Sequence, residues 1–201
     1  MSNFSVYFSL GLGHILNWAA LDHLLFILSL TCIYVVTDYK KLLWLVTAFT
    51  LGHSITLALA TLKLVEVNTT WVEFLIPCTI LFSAIFNLVK TKKRYRYWLV
   101  AVFGLIHGLG FSNYFKSILG GDAASKVLPL AEFALGIEAA QMIVVFVLLV
   151  LSYIVQTVFR FSKRDWTLVM SSFVIGVVLP IRHFKEWSVI MYHHKKTFKD
   201  K

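Results

Sequence analysis

Several ionisable side chains lie inside, or at the edge of, long apolar stretches of this sequence. An ionised carboxylate at the centre of a bilayer costs roughly 2.5 kcal/mol or more, so intramembrane ionisable residues are functional candidates by default. A single membrane histidine is more often a hydrogen-bonded contact between helices, but several at one level indicate a functional polar site. The residues concerned are His14, His23, His53 and His107, together with Asp22, Glu73 and Glu138.

The residue types in this group suit a transition-metal ion. Imidazole and carboxylate ligands favour zinc, nickel, copper or iron, whereas calcium and magnesium prefer sites made entirely of oxygen ligands. Polar neighbours can orient such ligands by hydrogen bonding, and the neighbours here include Ser54, Asn113 and Gln141. A proton relay or a purely structural network uses the same residue types, so the residues alone leave those two alternatives open.

The composition predicts that these residues belong to a membrane protein. The chain has 201 residues, of which 59% are hydrophobic and only 14% are charged, whereas soluble domains carry about 25% charged residues. Because lipid excludes open sheets, we expect an all-α, polytopic transmembrane helix bundle of about seven membrane segments, the first and last short. The apolar blocks cover residues 4–18, 20–36, 42–62, 71–89, 97–115, 128–159 and 166–181.

The net charge of +9 is distributed as in a membrane protein rather than a nucleic-acid-binding protein. Most lysines and arginines lie in the loops between blocks two and three, four and five, and six and seven, and the positive-inside bias puts these loops in the cytoplasm. We expect a single transmembrane domain over residues 1–185 and a basic polar tail over 186–201. If the seventh block crosses, the tail lies outside, against the bias, and the sequence leaves that crossing open.

This orientation predicts a shared depth for the ionisable groups. The three ionisable residues between the end of the first block and the start of the second lie near the non-cytoplasmic surface, as does Glu73 at the start of the fourth block. His53 and His107 lie about halfway along their blocks, and Glu138 lies roughly 15 Å deep at 1.5 Å per helical residue. The sequence therefore predicts one site in the outer half of the membrane.

Gly104 and Gly108 lie on either side of His107 and are four residues apart. This spacing is typical of membrane helices whose backbones approach closely, because glycine has no side chain to hold them apart. We therefore expect close helix packing here, which would also bring His107 toward a neighbouring helix.

Six stretches carry a family resemblance. They are Gly11-Leu-Gly-His14-Ile-Leu, Asp22-His23-Leu-Leu-Phe, Phe49-Thr-Leu-Gly-His53-Ser-Ile-Thr-Leu, Val72-Glu73-Phe-Leu-Ile-Pro, Phe103-Gly-Leu-Ile-His107-Gly-Leu-Gly-Phe111 and Gly136-Ile-Glu138-Ala-Ala-Gln141. At these residues the sequence resembles the HupE/UreJ family of hydrogenase and urease accessory membrane proteins. The resemblance implies a bacterial inner-membrane protein whose role is nickel permeation or nickel supply. The metal residues that it implies are His14, Asp22, His23, His53, His107 and Glu138.

Three functions are consistent with these features, and a permease or supply protein for nickel or a related divalent metal is favoured. Its mouth would comprise His14, Asp22 and His23, its deeper site His53, His107 and Glu138, and Glu73 would adjust the charge. The alternative is an intramembrane zinc hydrolase, in which a zinc ion with three protein ligands and an open position activates water. A third is a metal sensor or an assembly partner of a metalloenzyme, without transport or turnover.

Overall fold

A computed structural model describes residues 4–18, 21–66, 68–89, 96–118 and 123–180. Within these residues the chain is helical and contains no strand. The helices are α1 (Phe4–Leu16), α2 (Asp22–Thr31), α3 (Tyr39–Thr61), α4 (Thr69–Leu88), α5 (Arg96–Ile118), α6 (Ala123–Thr157) and α7 (163–180). The end of the seventh apolar block at Ile181 and the basic tail over 186–201 lie outside the described residues.

Four helices are long and apolar enough to cross a membrane, which confirms the predicted all-α membrane bundle. They cover Val36–Thr61, Thr69–Leu88, Arg96–Ile118 and Lys126–Thr157. The first two helices are much shorter, at 13 residues for α1 and 10 residues for α2. At 1.5 Å per residue they are about 20 and 15 Å long, and neither reaches across a hydrocarbon core of about 30 Å.

The two short helices follow α5 in the opposite direction, one after the other. Four successive ring contacts step along α5 as the chain advances: Tyr7 with Phe115, His14 with Phe111, His23 with His107, and Phe26 with Phe103. The two helices therefore make one crossing between them, interrupted between Leu16 and Asp22. Because His107 is the central residue of α5, this interruption lies level with the middle of α5 rather than with either of its ends.

Two pairs of helices pack with their backbones in direct contact. In the α3–α5 pair, a Cβ atom added to Gly104 would overlap the carbonyl oxygen of Phe49, and one added to Gly108 would overlap that of His53. In the α1–α6 pair, a Cβ atom added to Gly11 would overlap the backbone of α6 in the same way. The close packing that the glycine spacing predicts around His107 is confirmed.

Replacing Gly108 by alanine should destabilise the protein. The new methyl group meets backbone and the Thr56 hydroxyl, neither of which can rotate away freely, and overpacking of this kind costs about 1–3 kcal/mol. Thermal unfolding in detergent measures the effect. Gly176→Ala is the matched control, because nothing lies within 4 Å of a Cβ at Gly176. Equal stability of the two variants would contradict the packing described for α3 and α5.

Candidate metal centre

Three helices bring one histidine each to a common point. His14 lies in the last turn of α1, His23 in the first turn of α2 and His53 on α3, eight residues before that helix ends at Thr61. The interruption of the first crossing allows this arrangement, because it lets the end of α1 and the start of α2 meet at the level of His53. The three imidazoles each offer a nitrogen, and these nitrogens lie within 4.8 Å of one another.

The distances suit a metal site that needs only small ring rotations to close. The ring centroid of His14 lies 4.7 Å from that of His23 and 5.9 Å from that of His53, and the His23 and His53 centroids are 6.0 Å apart. A tetrahedral ion held at about 2.1 Å from each nitrogen would set those nitrogens roughly 3.4 Å apart. The three side chains therefore start within about 1.5 Å of ligand spacing.

The nitrogens of this cluster lack hydrogen-bond partners. Both ring nitrogens of His53 and the Nε2 atoms of His14 and His23 are buried without one. His53 is fully buried, and His23 is 4% exposed. Because buried polar atoms are nearly always hydrogen-bonded, a group of orphaned lone pairs at one point needs an explanation. A metal ion bound by these nitrogens supplies one.

His107 lies beside the cluster with its free nitrogen fixed by the fold. Its ring centroid is 5.4 Å from that of His23, and its Nδ1 atom is 2.8 Å from the carbonyl oxygen of Phe103. A carbonyl oxygen can only accept a hydrogen bond, so Nδ1 carries the proton, and in the neutral ring Nε2 keeps its lone pair. That Nε2 atom is buried and has no hydrogen-bond partner. His107 is therefore available as a further ligand, although it is not among the three closest nitrogens.

Asp22 supplies the negative charge at this centre. One of its carboxylate oxygens lies 3.4 Å from Nδ1 of His23 and accepts a hydrogen bond of 3.1 Å from the His23 backbone N–H. The Asp22 side chain is 29% exposed, whereas that of His23 is 5% exposed. A carboxylate at the edge of the cluster can therefore contact both an arriving cation and the buried imidazoles.

Aromatic rings enclose the cluster on two sides. On one side, Phe26 packs against Phe49 at 4.8 Å between ring centroids. On the other side, Phe111 stacks on Phe133 at 5.1 Å, and the Phe111 ring lies only 4.0 Å from that of His14. These rings give the cluster apolar walls, and charges interact more strongly in apolar surroundings than in water.

The structure places Glu138 away from the three histidines. Its carboxylate accepts a hydrogen bond of 2.6 Å from the Thr47 hydroxyl, and Gln141 accepts one of 2.8 Å from Thr50. Thr47 precedes His53 by six residues on α3, which corresponds to about 9 Å along a helix. Glu138 and Gln141 therefore form a second polar level, displaced from the cluster toward the start of α3.

The remaining predicted site residues do not reach the cluster. Glu73 and Asn113 are exposed on the outer surfaces of α4 and α5. The Ser54 hydroxyl is buried without a hydrogen-bond partner on the residue next to His53. Sequence reasoning did not identify Thr47 as the partner of Glu138.

The turn between α1 and α2 has a defined level relative to α5. His23, at the start of α2, contacts His107 at the centre of α5. The end of α1 and the start of α2 are therefore level with the middle of α5 rather than with either of its ends. The depth near the outer surface that the sequence predicts for His14, Asp22 and His23 stays a prediction.

A family model described as HupE / UreJ protein matches residues 1–186. No curated protein and no solved structure matches the chain.

Proposed function

We propose that this chain, which belongs to the HupE / UreJ family, carries a divalent transition-metal ion across the membrane, with nickel or a closely related ion as its substrate. The observation that carries the proposal is the meeting of three histidines whose nitrogens lie within 4.8 Å of one another. His14, His23 and His53 would hold the ion, His107 would be a further ligand, and Asp22 would supply a negative charge.

The ligand chemistry supports a borderline transition metal rather than a hard cation. Neutral imidazoles suit nickel, copper, zinc and iron, whereas magnesium and calcium need sites made of oxygen. The burial of His53 and His107 supports tight selection, because a cation that enters must exchange its water for these nitrogens. The family resemblance favours nickel among the possible ions.

Polar side chains beyond the cluster support transport rather than storage. Thr50 with Gln141, and then Thr47 with Glu138, continue from His53 toward the start of α3. Intramembrane carboxylates that face other helices commonly mark ion pathways. We infer that an ion leaving the histidines would next meet the level of Gln141 and Glu138.

We place the protein in a bacterial inner membrane, with the basic loops in the cytoplasm. This orientation rests on the positive-inside bias, because Lys40, Lys41 and Arg160 lie on the side where α3 begins and α6 ends. The start of α3 then faces the cytoplasm, and the path from His53 to Glu138 leads inward. Lipid and the metal ion are the partners that the proposal requires.

Reconstitution into liposomes tests the proposal. Purified protein should bind roughly one nickel or zinc ion per chain, as one three-histidine site would hold, and should admit that ion to a vesicle containing a metal-sensitive dye. Magnesium should not enter, and empty vesicles give the background. Tight binding without any flux would reject transport and support a supply or assembly role.

The alternative function is a zinc-dependent hydrolase, and one observation favours it. Three close histidine ligands leave a fourth position open, and catalytic zinc sites keep such a position for water. Asp22 at the edge of the cluster would then act as the base. Hydrolysis of an amide or ester by the zinc-loaded protein, lost in Asp22→Asn while zinc is retained, would favour this alternative over transport.

A further inference from the structure

A positively charged side chain at the opposite end of the bundle has no counter-charge among the residues that the structure describes. Arg96 begins α5, is half-buried, and has a buried Nε–H group without a hydrogen-bond partner. The ion pairs in the described part of the chain join Asp22 to His23 and Asp38 to Lys41, and neither involves Arg96. Burying part of a guanidinium removes hydration, and a buried N–H group without a partner leaves that loss uncompensated.

A network of hydrogen bonds holds Arg96 in place. Its Nη1 atom donates to the side-chain oxygen of Asn87 at 3.0 Å. The Asn87 amide in turn donates to the backbone oxygen of Ser29 at 2.6 Å and contacts the Cys32 sulfur at 3.4 Å. One edge of the guanidinium is therefore fixed against α4, and the Nε–H group, which has no partner, remains available to donate to a ligand.

The groove beside Arg96 has the polarity of a lipid molecule. It runs between α4 and α5, and its polar lining consists of Arg96 and Ser83. The rest of the lining is apolar and includes Phe82, Phe86 and Leu99. A polar end next to an apolar channel matches a phosphate group next to an acyl chain.

We propose that this groove binds a phospholipid, with Arg96 and Ser83 holding its phosphate group and the apolar lining holding an acyl chain. The site lies at the membrane side that carries the basic loops, where anionic lipid would concentrate. Arginine suits this role because its planar fork matches the oxygens of a phosphate. The proposal is independent of metal transport, because Arg96 is the first residue of α5 and does not contact the histidines.

Native mass spectrometry of the purified full chain with added phosphatidylglycerol tests the proposal. The protein should retain the lipid, and Arg96→Gln should lower retention about five-fold, the loss expected for one basic contact of about 1 kcal/mol. Arg160→Gln is the matched control, because Arg160 is an exposed arginine on the same membrane side. Arg96→Lys keeps the positive charge but loses the planar guanidinium, so it should also retain less lipid than the wild type. This variant replaces Arg96→Gln in the test if Arg96→Gln does not fold.

Two ligand controls identify what the site recognises. A diacylglycerol, which has the acyl chains without the phosphate, should be retained no better by the wild type than by Arg96→Gln. Inorganic phosphate at millimolar concentration should not displace the bound lipid. Equal lipid retention by wild type and Arg96→Gln would overturn the proposal, and so would displacement by inorganic phosphate, which would assign the site to a soluble anion. Unchanged metal binding in Arg96→Gln is expected and separates this test from that of transport.

Discussion

Replacing His53 by alanine should lower the affinity for nickel or zinc by at least about 100-fold, the largest effect that we expect from any single substitution. His53 is fully buried, and both of its ring nitrogens lack hydrogen-bond partners. Removal of its imidazole leaves two of the three closest ligands. Isothermal titration of the purified protein, together with metal analysis after dialysis, measures the loss.

His107→Ala is the informative comparison for His53→Ala. Because the His107 ring is not among the three closest nitrogens, its removal should weaken metal binding by about 10-fold, as loss of an outer contact does. Glu73→Gln should leave the affinity unchanged, since Glu73 is exposed on α4. A His53→Ala protein that keeps its folded stability and its full metal content would remove the three-histidine site from consideration.

Replacing Glu138 by glutamine should slow metal flux roughly 30-fold while leaving metal binding nearly intact. The carboxylate accepts a hydrogen bond from Thr47, six residues before His53 on α3, so the cluster should keep its affinity within about two-fold. In this variant, a cation that leaves the histidines would no longer meet the negative charge that stabilises it inside the membrane. A loss of about 2 kcal/mol at that step slows flux roughly 30-fold. Stopped-flow measurement on proteoliposomes, at saturating metal, reports this rate.

Glu73→Gln again supplies the matched control, because it removes a second intramembrane carboxylate that does not line the route. Its flux should equal that of the wild type. Thr47→Val, which deletes the hydroxyl that holds Glu138, should reduce flux by a smaller factor than Glu138→Gln. If Glu138→Gln lost metal binding as strongly as His53→Ala, then Glu138 would be a ligand of the same site and the two-level description would be wrong.

Much of the fold could be predicted from the sequence. Apolar blocks closed by basic residues located α3 to α6 closely, because burial in lipid depends on composition, and composition can be read directly. The contact around Gly104 and Gly108 was also predictable, since only glycine permits such an approach. The number of crossings made by the first two blocks was not predictable from the sequence. Both α1 and α2 are apolar enough for a membrane, and helices this short can be arranged in two ways. They can form two shallow segments or one interrupted crossing, and contacts with α5 decide between them.

The chemistry of the site was predictable, but its grouping was only partly so. Histidines inside apolar blocks identified His14, His23 and His53 as candidates because an imidazole in lipid is costly to keep. Glu138 satisfied the same criterion, yet it lies on a different level of the bundle. The position of a residue along its helix gives only its depth, whereas the grouping of ligands at a metal site also depends on how the helices are rotated and placed relative to one another. The rotation of α6 relative to α3, which sets Glu138 against Thr47, depends on packing that no single-helix pattern contains.

The two aromatic layers around the histidines have a consequence for how long an ion could stay. Asp22 is a carboxylate in contact with this cluster, and the imidazoles beside it are neutral when they bind a metal ion. Phe26 and Phe49, with Phe111 and Phe133, add apolar surface next to these imidazoles. An ion that leaves a nitrogen needs a replacement ligand, and an apolar wall offers none. A bound ion would therefore stay until another polar group of the protein takes the place of an imidazole, so its residence time would depend on the reach of the next polar side chains.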